Sequence, residues 1–257
     1  MVVRDHDKGA QAIMKPVDCI IVFTKVPLAD KVKTRLVKEG FLDTPQAKEL
    51  YEAFLSDVLE TAGGYAADNC LDLVISYTPK EGLSKIISIT EQLNATLRVA
   101  SLILQEGTAF DQRIGDAFRK AFDLGYTNAV MIGGDSPTTR KQHLDEAFKI
   151  LREPDKPKES LVLGPSSDGG VYLIGLRKGS AFDFSGIFTK KAGDDISLIM
   201  IENKAREMSL HTFKTSLHYD VDVPENVVTL REELSKNPDL APHTRRTLKR
   251  LGLMTSS

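Results

Sequence analysis

Cys19-Ile20-Ile21-Val22-Phe23-Thr24-Lys25-Val26-Pro27-Leu28-Ala29-Asp30-Lys31-Val32-Lys33-Thr34-Arg35 is the stretch that decides the fold. Its first five residues are apolar without alternation, as in a strand buried on both faces of a sheet. No helix follows at once. A polar loop from Thr24 to Arg35 does, with Lys25, Lys31, Lys33 and Arg35 along it. Open α/β sheets bind ligands beyond the C-terminal ends of their strands, and this loop sits at such an end. Lysine and arginine there suit the oxygens of a polyphosphate; a solvated charged loop would read the same way. The loop has neither the Gly-x-x-x-x-Gly-Lys spacing of a P-loop nor the Gly-x-Gly-x-x-Gly of a dinucleotide fold.

Outward from this stretch, short apolar runs alternate with amphipathic ones, the pattern of an α/β protein. Thr44-Pro45 reads as an N-cap and first helical residue. Leu50, Phe54, Val58 and Leu59 then share one helical face, and Gly63-Gly64 ends the helix. Leu71–Ser76, Leu97–Leu104 and Ala129–Ile132 read as further strands, with helices over 82–93, 110–124 and 140–152. In the helix over 110–124, Phe110, Ile114, Ala117, Phe118 and Ala121 recur at helical spacing, and Gly125 stops it. Ser160–Gly164 and Val171–Leu176 are strands joined by a short loop, whereas a parallel crossover needs about a dozen residues. That pair is therefore antiparallel, and the expected architecture is a three-layer α/β sandwich with a mixed, mainly parallel sheet. Helices over 193–209 and 224–235 flank a weak strand near 210–217, and 240–252 forms a C-terminal helix. Residues 1–16 read as a flexible tail and 17–257 as one domain.

Composition narrows the function classes. The 257 residues carry 34 basic and 36 acidic side chains, a formal net charge of −2, so no global basic field points to nucleic acid. No run of about 18 apolar residues suggests a membrane span, and residues 1–16 lack the apolar core of a signal peptide. Cys19 and Cys70, the two cysteines, read as buried thiols at strand starts, which fits the reducing cytoplasm. His143, His211, His218 and His243 have no metal-ligand spacing, and Arg245-Arg246 with Lys249-Arg250 reads as a solvated helix face.

Three further segments bear chemistry. Gly133-Gly134-Asp135-Ser136-Pro137 follows the fourth strand; its glycines permit close backbone approach, and Asp135 is a hard oxygen donor for Mg²⁺ or Mn²⁺. Gly164-Pro165-Ser166-Ser167-Asp168-Gly169-Gly170 contains a hairpin signal, and Asp168 either orients an acceptor or only makes the turn. In Tyr219-Asp220-Val221-Asp222-Val223-Pro224, alternate residues share a face, so Asp220 and Asp222 can meet one cation. Asp222 equally suits the cap of the helix that Pro224 begins. Mg²⁺ typically takes one or two carboxylates plus substrate phosphates, which makes Asp135 and Asp222 a reasonable pair.

In this order the segments resemble the DUF2064 family of glycosyltransferase-A-fold proteins with a nucleotide-diphospho-sugar transferase-like domain. Lys25, Pro27, Val32, Lys33, Thr34, Arg35 and Leu36 match the first family motif, and Gly133, Asp135 and Pro137 the second. Gly164, Pro165, Asp168, Gly169, Gly170, Tyr172, Ile174 and Gly175 match the third, and Asp220, Val221, Asp222, Pro224 and Glu225 the fourth. More distantly the chain is similar to phospholactate and molybdenum-cofactor guanylyltransferases. Three departures stand out: Asp30 where the family has glycine, Thr108-Ala109-Phe110 for Asp-Leu-Gly, and Phe188–Asp195 without the Trp-Ser/Thr-rich segment.

The resemblance implies a transferase that uses Mg²⁺ or Mn²⁺ and a nucleotide-activated donor, first of all a nucleotide-sugar glycosyltransferase. The alternatives are a nucleotidyltransferase that joins an NTP to a small phosphorylated acceptor, and a nucleotide-binding module without catalysis. Lys25, Lys33, Thr34, Arg35, Arg113, Gly133, Gly134, Gly169 and Gly170 are the expected nucleotide contacts. Asp135 and Asp222 are the expected metal ligands, and Asp135 and Asp168 the expected catalytic groups. The acceptor and the oligomeric state stay open, a homodimer among the options.

Overall fold

The computed structural model describes residues 18–93, 97–157, 159–180, 182–188 and 196–255. The tail expected over 1–16, the residues 193–195 expected to open a helix, and most of Phe188–Asp195 lie outside them.

The strands are β1 Asp18–Lys25, β2 Asp72–Thr78, β3 Val99–Leu104, β4 Asn128–Gly133, β5 Ser160–Pro165, β6 Val171–Arg177 and β7 His211–Lys214. They form one seven-stranded sheet in the order β3-β2-β1-β4-β6-β5-β7. β6 alone is antiparallel to its neighbours; every other pairing is parallel. The mixed, mainly parallel sheet expected from the short loop after Gly164 is thus present. β1 lies between β2 and β4; the chain leaves β1 toward β2 on one side and leaves β4 toward β5 on the other. The crevice outside the C-terminal end of β1 is a topological switch point, where ligands of such sheets bind.

The helices are α1 Thr34–Lys38, α2 Thr44–Asp68, α3 Leu83–Gln92, α4 Phe110–Asp123, α5 Lys141–Arg152, α6 Ser197–Glu207, α7 Pro224–Lys236 and α8 Pro242–Arg250. The Cys19–Phe23 run of β1 is apolar because the strand is covered on both faces. Ile20 and Val22 pack with α2, α3 and α5 on one face, Cys19 and Ile21 with α4 and α6 on the other. A third apolar cluster, from Leu36, Phe54, Val227 and Leu248, fastens α1, α7 and α8 to α2. No described helix is long and apolar enough to cross a membrane.

Four local readings change. The cap of α2 is Asp43, not Thr44: Asp43 Oδ1 accepts from the Gln46 N–H at 2.8 Å, and Gln46 Oε1 accepts from the Asp43 N–H at 2.9 Å. α2 also runs through Gly63-Gly64 instead of ending there. A Cβ on Gly63 would come within 2.2 Å of Leu97 Cδ1, so the glycine serves close packing of helix on sheet. Cys70 is exposed, in a left-handed turn (φ 55°) before β2 begins, while Cys19 is buried as expected. Arg245 does not belong to a solvated face; its guanidinium donates to the carbonyls of Leu234 and Asn237 and ties off the end of α7.

Candidate functional site

A cavity of about 630 Å³ opens at the C-terminal ends of β1, β4 and the start of β6, a volume usual for a small-molecule site. Three stretches distant in sequence meet there: the 25–35 loop, the turn after β4, and the 220–222 segment before α7. Backbone and side-chain bonds stitch the last two together. The Val221 N–H donates to the Asp135 carbonyl at 3.2 Å, and the Ser136 hydroxyl donates to the Asp220 carboxyl.

At its centre is Lys33. The residue is buried, at the left-handed N-cap of α1 (φ 46°). Its ammonium donates to Asp135 Oδ2 at 3.2 Å and Asp222 Oδ1 at 3.0 Å. It also lies 5.5 Å from the ring centroid of Tyr51 and 5.8 Å from that of Phe54. Arg35 reaches Asp222 Oδ2 at 3.5 Å. Burial alone would lower the Lys33 pKa, but the charges of Asp135 and Asp222 outweigh it and hold the amine protonated, above its ordinary range. Burial, and then the Asp135 charge, push the Asp220 carboxyl well above the usual carboxylate range.

The placement of the expected residues is uneven. Lys25, Lys33, Thr34, Arg35, Gly133, Gly170, Asp135 and Asp222 line the cavity. Gly134, Gly169, Arg113 and Asp168 lie outside its described lining. A Cβ on Gly134 would be 2.7 Å from Thr24 Oγ1, so that glycine permits protein packing and not the approach of a ligand. The exposed carboxylate of Asp168 accepts from the Gly170 N–H at 3.1 Å, within its own turn. The guanidinium of Arg113 lies 5.9 Å from the centre of the Phe110 ring. The cap reading of Asp222 is displaced by Asn226, whose Oδ1 accepts from the N–H groups of Asp222 and Val223 at 3.0 and 3.1 Å. Asn226 therefore caps α7, and the Asp222 carboxylate turns to Lys33. Asp30 adopts the left-handed conformation (φ 60°) that its glycine counterpart would take without strain. Its carboxylate accepts from the Thr44 hydroxyl at 3.2 Å, and it does not line the cavity.

Phe23, Tyr51, Phe110, Phe188 and Ser197 line the cavity without having been singled out as site residues, and Lys31, noted as one of the loop cations, lines it too. Tyr51 shares a 2.8 Å hydrogen bond with the Thr24 hydroxyl and accepts from the Lys25 N–H at 3.3 Å, which steadies the exit of β1. Burial, then the Asp135 charge, push its phenol to about 12. The available signal was a phenol within the apolar stripe of α2. Asp220 did have one, its alternation with Asp222.

The family profile described as "Uncharacterized protein conserved in bacteria (DUF2064)" matches residues 61–191. A 3-phospho-D-glycerate guanylyltransferase from Phenylobacterium zucineum (strain HLK1) is 31% identical over 201 residues, which are 77% of this chain and 82% of that protein. Among solved structures, a Desulfovibrio desulfuricans G20 protein provisionally classed as a nucleotide-diphospho-sugar transferase matches with a TM-score of 0.74 and 26% identity, covering 94% of this chain and all of that one (100%). A cytidylyltransferase from Leptospira borgpetersenii serovar Hardjo-bovis (strain JB197) shares the fold at a TM-score of 0.52 and 12% identity, over 94% of this chain and 98% of its own. The fold is that of the nucleotide-diphospho-sugar transferases.

Proposed function

The chain belongs to the DUF2064 family and is a transferase, and from that premise we propose that it is a nucleotidyltransferase joining an NTP to a small phosphorylated acid. The guanylyltransferase relative favours nucleotidyl over glycosyl transfer and makes GTP and 3-phospho-D-glycerate the first pair to test. The observation that carries the reading is the convergence of Asp135 and Asp222 on one cationic point, beside the exposed Lys25, Lys31 and Arg35, in a cavity of nucleotide size.

An oxygen of the acceptor phosphate attacks the α-phosphorus of the NTP. A new P–O–P link forms, the α–β bond breaks, and pyrophosphate leaves with the bonding pair. Reactants and transition state are polyanionic, so the chain's part is to hold and neutralise charge. Lys25, Lys31 and Arg35 are placed to receive the phosphates, and Gly133, where a Cβ would meet Asp135 Oδ1 at 2.7 Å, leaves room for that carboxylate. The donor set fits a divalent ion: Asp135 and Asp222 are hard oxygen ligands that already share a cation, the Lys33 ammonium. Held by them, Mg²⁺ or Mn²⁺ would offset the charge developing on the pyrophosphate. Lys33 would then turn from the carboxylates toward the phosphates.

The test is pyrophosphate release by the purified protein with each NTP and Mg²⁺, with and without 3-phospho-D-glycerate. Acceptor-dependent release, lowered at least roughly tenfold by Asp135→Asn or Asp222→Asn, is the expected result. Turnover of nucleotide sugars without pyrophosphate release would return the glycosyltransferase reading.

A further inference from the structure

Phosphate chemistry leaves the aromatic wall of the cavity unexplained. Phe110 is the first residue of α4, lines the cavity, and keeps 42% of its surface exposed. Its ring is braced. Phe23 and Phe188 meet it at centroid distances of 5.6 and 5.2 Å with interplanar angles of 89° and 81°, the edge-to-face arrangement. The chain around it is fixed as well. Gln112 Oε1 accepts from the N–H groups of Thr108 and Ala109 at 2.9 and 3.3 Å, which holds the start of α4. Gly107, at φ 125°, leaves the room this needs, since a Cβ there would meet Gln112 Cβ at 2.7 Å. Asp111 Oδ2 accepts from the Gly186 N–H at 2.7 Å and so positions the loop that carries Phe188.

We infer that Phe110 is the platform on which the base of the bound nucleotide stacks, an assignment that rests on the nucleotidyltransferase reading. A nucleotide is polyanionic at one end and flat, with an apolar face, at the other. The cavity offers a match for both ends, since the cations of the 25–35 loop and the ring of Phe110 are both part of its lining. Stacking engages a base by its face, which every base presents, so this contact holds the nucleotide without reading the base edge. The fixed ring loses little freedom when a base settles on it, which is where a preformed site gains affinity.

The experiment measures binding of each NTP, GTP first, of inorganic tripolyphosphate and of 3-phospho-D-glycerate, each with Mg²⁺, to the wild type, Phe110→Leu and Phe110→Tyr. Leucine keeps an apolar group of similar size and removes the π-face; thermal melts check that each variant is folded. The expected result is GTP binding weakened roughly tenfold by leucine, tripolyphosphate binding unchanged, and tyrosine close to wild type. An equal loss for both ligands, unchanged GTP binding in the leucine variant, or a loss confined to 3-phospho-D-glycerate would overturn the assignment. A wild type that binds GTP while the leucine variant is indifferent removes the stacking alone. A wild type that binds no NTP removes the nucleotidyltransferase reading and the stacking with it.

Discussion

Replacing Lys33 by methionine keeps most of the side-chain stem and removes the ammonium from between Asp135 and Asp222. Those contacts are 3.2 and 3.0 Å long, and only 3% of the Lys33 side chain is exposed, so the cation is not freely replaced by water. Breaking a wholly buried pair costs about 3–5 kcal/mol, whereas exposed pairs contribute about 1 kcal/mol or less. The carboxylates keep 35% and 39% of their side-chain surface in solvent and would partly rehydrate. The expected loss therefore falls between these limits, at about 2 kcal/mol, or roughly 4–8 °C in melting temperature for a chain of this size. Urea and thermal unfolding near neutral pH, at low and high salt, measure it, and salt should change it little because the ammonium is buried. A divalent ion should restore the variant more than it stabilises the wild type, because it refills a seat that Lys33 otherwise occupies. A variant that melts within about 0.5 kcal/mol of wild type, or a wild type that gains more from Mn²⁺, refutes the reasoning.

Three other outcomes follow from the geometry. Gly134→Ala places a Cβ 2.7 Å from Thr24 Oγ1 and 3.0 Å from Thr24 Cβ; it should cost about 1–3 kcal/mol by urea unfolding, and an unchanged midpoint contradicts the packing role. Burial, and then the charge of His143, depress the His218 pKa from 6.5 to about 4. The unfolded chain therefore takes up this proton first, and stability present above pH 6.5 is lost as pH falls toward 4, by up to about 3 kcal/mol. His218→Phe should flatten that part of the stability profile, and a profile as steep as wild type would count against the assignment. Asp168→Asn keeps an oxygen to accept the Gly170 N–H and should leave nucleotide affinity within about twofold; a larger loss in a binding titration would place Asp168 in the site after all.

The sheet was legible because burial on both faces forces near-continuous apolar runs, and the antiparallel pair because few residues separate Gly164 from Val171. What misled was the use of one residue type for two purposes. Gly63 reads as a helix stop, yet it is a contact surface for Leu97, and only the neighbour distinguishes the two. Phe110 keeps the helical spacing of Ile114, Ala117 and Phe118, which are buried. It stands a full turn before them at the helix mouth, where the core-facing side meets the cavity instead of the sheet. Arg245 fits the pattern of an exposed basic face, but its partners are backbone carbonyls of α7, about which side-chain composition says nothing.

The cationic loop shows the same limit at the level of function. Its charges are equivalent in composition, so the sequence treats Lys25, Lys33 and Arg35 alike, as contacts for the phosphates or base of a nucleotide. The left-handed turn at Lys33 separates them, sending one amine inward while its neighbours remain exposed. The inward lysine is committed to Asp135 and Asp222 for as long as no other cation takes its place. Phosphates entering first would meet the outer cations with the carboxylates already neutralised. A metal entering first would set Lys33 loose as a further phosphate contact. On the proposed reading the carboxylates and the lysine would act as one unit, and the cation they hold would set how many positive charges the loop could offer to a nucleotide.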